Sequence, residues 1–541
     1  MQATMLCSTI RRRAIAVVAA GALATALVAA AGSAAAATGA PHTFVKVVAG
    51  LPTSVDPVNF QGRPSSDNLQ TFTSPLIRTK GLPRGAKELP GPYAVEPFLA
   101  TSWTRGPDGS WTFKLRENAK SPAGNTLTAD DVKWSFDRGN ALDGVARFLF
   151  SAGNIDARNP ITVIDAGTVR VNVTRPGPMT LGALVPYLLA VYDSTEAKKH
   201  ATPTDPWAKE WLGSHSATFG PYYVDSIDPG KTIVLKKNPN FWNAKTMYFD
   251  TVVMQAIPDS ATRLQLMLTG EADNTYYLSG SHFKAAVNED GKKLVAYPDI
   301  ESSMDMMLLN EAFGPFSDIR VRKAINMGIL RSGLIKTVYQ GFGKPARYQF
   351  SSVLPQTTGF EPISYNPAKA KQLLADAGQS NLEFTLTTSP GVLSYGADIA
   401  TYIQSQLALI GVKVNVEVIA SPSEFEAKRL GGKLTAWINT LRPAIADAMF
   451  FTFLTNGTKG ILNGHKYSNA KVDKLVSLML GTSPGPRYDR ELKELLRIVT
   501  DEAPTVPLVE VPTQVVLARG ITGYRTRPVP IVFVDELTRS S

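Results

Sequence analysis

Between Trp111 and Arg116 apolar and polar positions alternate, with Trp111, Phe113 and Leu115 set against Thr112, Lys114 and Arg116. A period of two reads as a half-buried strand. Pro122, Gly124 and Asn125 break it, and Thr128 then precedes Val132, Trp134 and Phe136. This predicts a helix capped by Thr128, whose N-terminal dipole favours Asp130 and Asp131. Similar strand-like runs, punctuated by Gly and Pro, fill roughly residues 43–125 and 160–300. Helical periods dominate the second half, over Val321–Leu330, Pro367–Ala377, Ala397–Ile410 and Lys471–Leu480, with strands Leu382–Thr388 and Val412–Ile419 between them. The Pro367 helix has Asn366 as its cap, proline in its first turn and Gly378 just past its end. Helices alternating with strands imply an α/β core in two lobes.

A chain of 541 residues exceeds one hydrophobic core and divides into two or three domains. Residues 1–37 predict an export signal: Arg11, Arg12 and Arg13, then the apolar run Ala14–Ala31, then the small-residue exit Gly32–Ala37. No other run approaches the roughly twenty apolar residues of a spanning helix. The net charge of +10 becomes +7 when those three arginines leave, and no basic run carries interleaved aromatics, so the pattern excludes nucleic acid as a partner. Cys7 is the sole cysteine and precedes the apolar run, so the exported chain is expected to carry no disulfide, no thiolate nucleophile and no lipid-bearing cysteine.

Catalytic patterns fail on inspection. Gly481-Thr482-Ser483-Pro484-Gly485 matches the serine-hydrolase elbow as a string, but the elbow uses the N–H after the nucleophile, and Pro484 has none. It reads as a helix-ending turn. Gly341-Phe342-Gly343 lacks the later glycine of a phosphate cradle, and Asp108-Gly109 is a turn. His42, His200, His215, His282 and His465 show no metal-ligand spacing and read as surface or lightly buried residues. No metal or other cofactor is expected, and the chain does not read as an enzyme.

The string from Trp103 to Arg138 closely resembles the signature of the peptide/nickel family of extracellular solute-binding proteins, family 5, the capture component of ABC importers. Further strings resemble that family in order and spacing: Ser54-Val55-Asp56-Pro57, Phe219-Gly220-Pro221-Tyr222, Asn238-Pro239-Asn240-Phe241-Trp242, Gly270-Glu271-Ala272-Asp273, Phe316–Asn326 and Tyr365–Gly378. The resemblance implies a two-lobed, three-domain, periplasmic-binding-protein-like fold (class II) with a hinge between the lobes. Its domain I would be assembled from residues 38–74, 213–300 and 512–541, domain II from 75–212, and domain III from 301–511. It implies a monomer that closes over a peptide or amino-acid-derived ligand and delivers it to a membrane permease. An oligosaccharide, a specialised metabolite or, less well supported, nickel are the alternatives within that class, and a secreted hydrolase is the least favoured reading outside it.

A peptide held between lobes needs partners for its backbone, counter-charges for its ends and roomy pockets. By resemblance to oligopeptide-binding members, Gln61, Gly62 and Arg63 supply an extended edge beside the ligand, and Tyr276 and Tyr277 lie on a ligand-facing strand. Adjacent strand residues point to opposite faces, so one tyrosine is expected at the ligand and the other in the core. Tyr395 falls where relatives place a pocket-facing polar residue, and Arg429 where some keep an arginine for a peptide carboxylate. Relatives carry a tryptophan followed, three residues later, by an aspartate that anchors the ligand ammonium. Aligning on Trp437 puts Thr440 at that place, and a second register puts Ala444 there; Arg442 adds a cation, and Asp447 is the nearest acid. The ligand carboxylate is therefore expected to matter more than its ammonium.

Overall fold

The computed structural model describes residues 42–59, 67–83, 94–142, 145–298, 300–354, 357, 359–441, 445, 447–483, 485–512, 514–527 and 532–540. The export segment and Gln61, Gly62, Arg63, Arg442 and Ala444 lie outside the described residues.

The chain opens with β1 (Thr43–Val48), buried at every position. Phe44 and Val48 enter one core and Val45 and Val47 another, which makes it a strand covered on both faces. The chain then builds a separate four-stranded sheet from β2 (Ala100–Arg105), β3 (Trp111–Leu115), β4 (Ile161–Asp165) and β5 (Thr168–Val171), in the order β2-β3-β5-β4. Between β3 and β4 runs α1 (Ala129–Ala141), capped as expected at Thr128, whose N–H donates to Asp131 Oδ2 at 2.9 Å.

Strands β6 (Tyr222–Asp228), β7 (Thr232–Lys237), β8 (Thr251–Ala256), β9 (Asn274–Tyr276) and β10 (Leu294–Tyr297) return to β1. The chain then crosses to a second sheet through β11 (Ile300–Leu309). There it adds β12 (Lys344–Pro345), β13 (Glu383–Thr388), β14 (Lys413–Val418), β15 (Ala436–Leu441) and β16 (Thr505–Pro512). It crosses back once more into β17 (Val515–Ala518), giving the orders β10-β17-β9-β1-β8-β7-β6 and β12-β16-β11-β15-β13-β14. Two sheets joined by two crossings form a two-lobed body hinged at the crossings.

In the second lobe, α2 (Ile319–Met327), α3 (Pro367–Asp376) and α4 (Gly396–Ala408) pack their apolar stripes on one sheet face. Asn366 caps α3, its side chain accepting from Lys369 N at 2.9 Å, and Gly378 follows at φ +70°. Helices α5 (Pro422–Leu430), α6 (Ala448–Thr455), α7 (Ala470–Met479) and α8 (Pro486–Glu502) follow, and the last three join a core continuous with the first lobe.

The most recognisable strings act as structural staples. Arg138 donates to both oxygens of Asp56, at 3.2 and 2.5 Å, and through Nε to Trp207 O at 3.0 Å; Tyr192 Oη donates to Asp56 at 2.9 Å. Asn238 Nδ2 donates to Gly220 O and Lys120 O at 3.0 and 2.9 Å. Gly220 has to be glycine, because a Cβ there would sit 2.1 Å from Phe72 O.

Candidate functional site

Strands β13, β14 and β15 run parallel, so Thr388, Val418 and Leu441 end at one edge of the second sheet. β11 is antiparallel to β15, and its first residues, fresh from the crossing, lie at that same edge. This edge therefore faces the first lobe, and the carboxyl ends of strands in an open α/β sheet are where ligands bind.

At that edge Asp305 on β11 is the register partner of Thr440 on β15. Their neighbours Met307, Leu309, Ile438 and Ala436 all enter the α2–α4 core, so both residues project from that same face. The Thr440 hydroxyl donates to Asp305 Oδ1, while Tyr339 Oη and Tyr395 Oη reach Oδ2 at 2.6 and 3.2 Å. Burial, and then the Asp305 charge, push the Tyr339 phenol well above its ordinary pKa, so it stays a donor. The two tyrosine rings meet edge to face, 5.5 Å apart.

This cluster adjoins the other lobe. Ser394, next to Tyr395, donates to Tyr277 O at 3.5 Å, and a Cβ on Gly280 would lie 2.1 Å from Val338 O, beside Tyr339. Arg263 holds Tyr277 O at 3.0 Å and Ile257 O at 3.1 Å, and burial lowers its pKa to about 10. Tyr276 Oη donates to Asn68 at 2.5 Å, and Lys46 Nζ stands 4.9 Å from the Tyr276 ring centroid.

Several expectations are corrected. Tyr276 and Tyr277 do not point to opposite faces: β9 ends at Tyr276, Tyr277 takes φ +55°, and the rings meet at 4.8 Å. A left-handed residue ends the strand alternation. Arg429, expected to meet a ligand carboxylate, is buried and gives Nε and Nη2 to Glu426 at 3.1 and 2.5 Å. Trp437 is fully buried at the start of β15, near His465. Three residues along β15 put Trp437 roughly 10 Å from Thr440, and Arg429, on α5, is engaged by Glu426 rather than by Asp305. Asp447 caps α6, its Oδ1 accepting from Met449 and Phe450 N–H at 2.8 and 3.0 Å. His465 is wholly buried, and burial, with help from Arg322, Arg429 and Lys466, lowers its pKa to about 3.

The acid sought along β15 therefore comes from the neighbouring strand. Asp305 is a lone charge within Met304–Leu309, an otherwise apolar run, and a charge in a buried strand is itself a signal. Asn68, Lys46, Tyr339 and Ser394 carried no such mark. Among the described residues no three His, Cys, Asp or Glu side chains converge as metal ligands do.

Comparison with known proteins places this geometry. The chain is 26% identical over 441 residues, 80% of this chain and 83% of the relative, to the glutathione-binding protein GsiB of Shigella boydii serotype 4 (strain Sb227). Its fold is similar to the periplasmic binding protein DppA from Helicobacter pylori in complex with the peptide STSA, with a TM-score of 0.80 at 23% identity over 92% of this chain and 98% of that one. It is also similar to the Escherichia coli murein tripeptide binding protein MppA, with a TM-score of 0.79 at 19% identity over 92% and 98% of the two chains. The family profile for bacterial extracellular solute-binding proteins, family 5, spans residues 94–463. With its two lobes, two crossings and inter-lobe site, this chain belongs to the bacterial extracellular solute-binding proteins of family 5.

Proposed function

We propose that this protein is exported, closes its two lobes over a peptide or amino-acid-derived ligand, and presents that ligand to the permease of an ABC importer. One observation carries the ligand class: a buried carboxylate, Asp305, oriented by the hydroxyls of Tyr339, Tyr395 and Thr440 at the lobe junction. A carboxylate accepts through about four lone-pair sites, so it can take an ammonium alongside hydroxyl donors. Asp305 thus receives the ligand's amine in place of the acid expected at Thr440 or Ala444, and Tyr276 and Tyr277 form the facing wall. Asp447, as a helix cap, has the weaker claim to that role. The names of the relatives, one binding glutathione and others peptides, support the same class.

The reading divides the mature chain into domain I (38–74, 213–300 and 512–541), domain II (75–212) and domain III (301–511), after cleavage near Ala37. The protein acts as a monomer, with no cofactor, catalysis or nucleic acid, and with no lipid on a mature N-terminus near Thr38. The test is titration calorimetry of the mature protein with glutathione and Ser-Thr-Ser-Ala, alongside mass spectrometry of whatever co-purifies. The expected result is binding of a probe or co-purification of an amine-bearing amino-acid derivative, with compaction in small-angle scattering. A co-purified ligand without an amine or amino-acid part overturns the ligand class.

A further inference from the structure

Helix α4 (Gly396–Ala408) begins at the same edge, with Tyr395 as its N-cap and no side chain capping it. Gly396 N–H donates to Leu393 O at 2.9 Å, and Ile399 N–H starts the helical ladder on Tyr395 O at 3.2 Å. The intervening N–H groups of Ala397 and Asp398 have no acceptor within the helix, and they carry the positive end of a helix of 13 residues.

A second, independent feature lies beneath this turn. Thr388 and Ser389, at the end of β13, are each 1% exposed, and neither hydroxyl has a hydrogen-bond partner among the described residues. A Cβ built on Gly396 would sit 2.1 Å from Thr388 Oγ1, so that hydroxyl points at the first residue of the helix. Buried hydroxyls without partners are costly, and their presence marks a place prepared for another group. Two backbone donors, the Thr388 hydroxyl and a helix dipole suit an acceptor carrying negative charge, with the Ser389 hydroxyl one residue further along the chain.

We propose that the N-terminus of α4, with the hydroxyls of Thr388 and Ser389, binds a carboxylate of the ligand. The proposal rests on the ligand reading above and deepens it. Tyr395 links the two places, capping α4 through its backbone and reaching Asp305 through its phenol. An amine at Asp305 and a carboxylate at α4 would let the second lobe read both charges of an amino-acid-like ligand. Arg429, the cation expected to meet the carboxylate, is engaged by Glu426 instead. Asp398 shares the first turn of α4, is exposed, and makes no hydrogen bond to cap it, so its charge opposes an incoming anion.

The test compares Ser-Thr-Ser-Ala as the free acid and as the C-terminal amide, and glutathione as the free acid and with both carboxyls amidated, by calorimetry on wild type, Thr388→Val and Asp398→Asn. Wild type is expected to prefer an acid to its amide. Thr388→Val, which keeps the side-chain shape, is expected to weaken the acid about tenfold and leave the amide unchanged. Asp398→Asn, at an exposed site safe for folding, is expected to tighten the acid roughly twofold to fivefold without moving the amide. Equal loss of acid and amide in Thr388→Val, or no change in either, overturns the subsite. If Thr388→Val does not fold, an unchanged acid affinity in Asp398→Asn overturns it. Probes that bind wild type with no difference between acid and amide overturn the subsite alone, whereas a panel in which nothing binds counts against the peptide reading and the subsite together.

Discussion

Asp56 in the first lobe and Asp305 in the second are both buried aspartates bonded to tyrosine, yet they are held differently. Asp56 sits in a two-point grip from the Arg138 guanidinium. Burial disfavours the charge on Arg138, but Tyr192 and Asp56 more than compensate and hold its pKa above the ordinary value. Asp305 accepts from the hydroxyls of Tyr339, Tyr395 and Thr440, which set the direction of its carboxylate. The first arrangement fastens one element to another, because neither ion can leave without stranding its partner. The second fixes the direction of a carboxylate, itself fully buried, at the sheet edge where the proposed ligand amine would meet it. A guanidinium fastens Asp56, whereas three hydroxyls aim Asp305, and burial alone does not tell the two apart.

The comparison breaks most visibly at Arg138. Replacing it with alanine strands a buried carboxylate, and urea unfolding is expected to show a loss of about 3–5 kcal/mol. The folded fraction is expected to bind ligand as wild type does. A variant that keeps its stability and loses its ligand would make Arg138 part of the receptor.

Asp305→Asn is expected to do the opposite. The amide keeps the shape, so stability moves by about 1 kcal/mol, while affinity for Ser-Thr-Ser-Ala falls by about 1.5–3 kcal/mol, roughly tenfold to a hundredfold. The N-acetylated peptide, which has no ammonium, is expected to bind variant and wild type alike. Arg429→Ala then serves as the control: its pair with Glu426 lies within the second lobe, so acid–amide discrimination is expected to survive the change. Equal weakening of both peptides by Asp305→Asn would reduce Asp305 to a packing residue.

How far the sequence spoke follows the same division. The strings with a family resemblance placed the staples, because a staple needs particular residues at fixed spacing: Asp56 after a strand, Arg138 on a capped helix, and Gly220 where a Cβ would strike Phe72. The caps at Thr128 and Asn366 were legible for the same local reason. The receptor was not. Asp305 and Thr440 are 135 positions apart and meet only because β11 and β15 pair in one register. Local pattern carries no register between distant strands. The pattern along β15 therefore carries no sign of an acid on β11. The tyrosine pair failed for a smaller reason: a single positive φ at Tyr277 ends the period of two. His465 looked unremarkable because nothing in its neighbours announces that Trp437 and Tyr467 enclose it.

A third way of handling buried charge lies at the far end of the second lobe and sharpens the contrast between the two aspartates. There burial drives His465 towards its neutral form, and drives Glu311 the same way although Arg322 Nε lies 3.6 Å from its carboxylate. Burial, with Arg322, Arg429 and Lys466, lowers His465 from 6.5 to about 3. Burial raises Glu311 from 4.5 to about 7, with Arg322 opposing and Glu502 assisting. Below pH 6.5 the unfolded chain takes up a proton at His465 that the native state refuses, so this stability is lost as pH falls from 6.5 towards 3. Glu311 has the opposite sign: the native state takes up its proton near pH 7 and the unfolded chain only near 4.5, so stability is gained across that interval as pH falls. Each slope is at most about 1.4 kcal/mol per pH unit, and between pH 4.5 and 6.5 the two oppose each other. Urea unfolding at pH 5 and pH 6.5 is therefore expected to show little net dependence from this pair in wild type. Relative to wild type, His465→Gln is expected to become more stable as the solution is acidified, and Glu311→Gln less stable, each by roughly 1 kcal/mol per pH unit. Two variants that track the wild-type profile would mean that folding shifts neither group, so that both carry charge in the interior over this range.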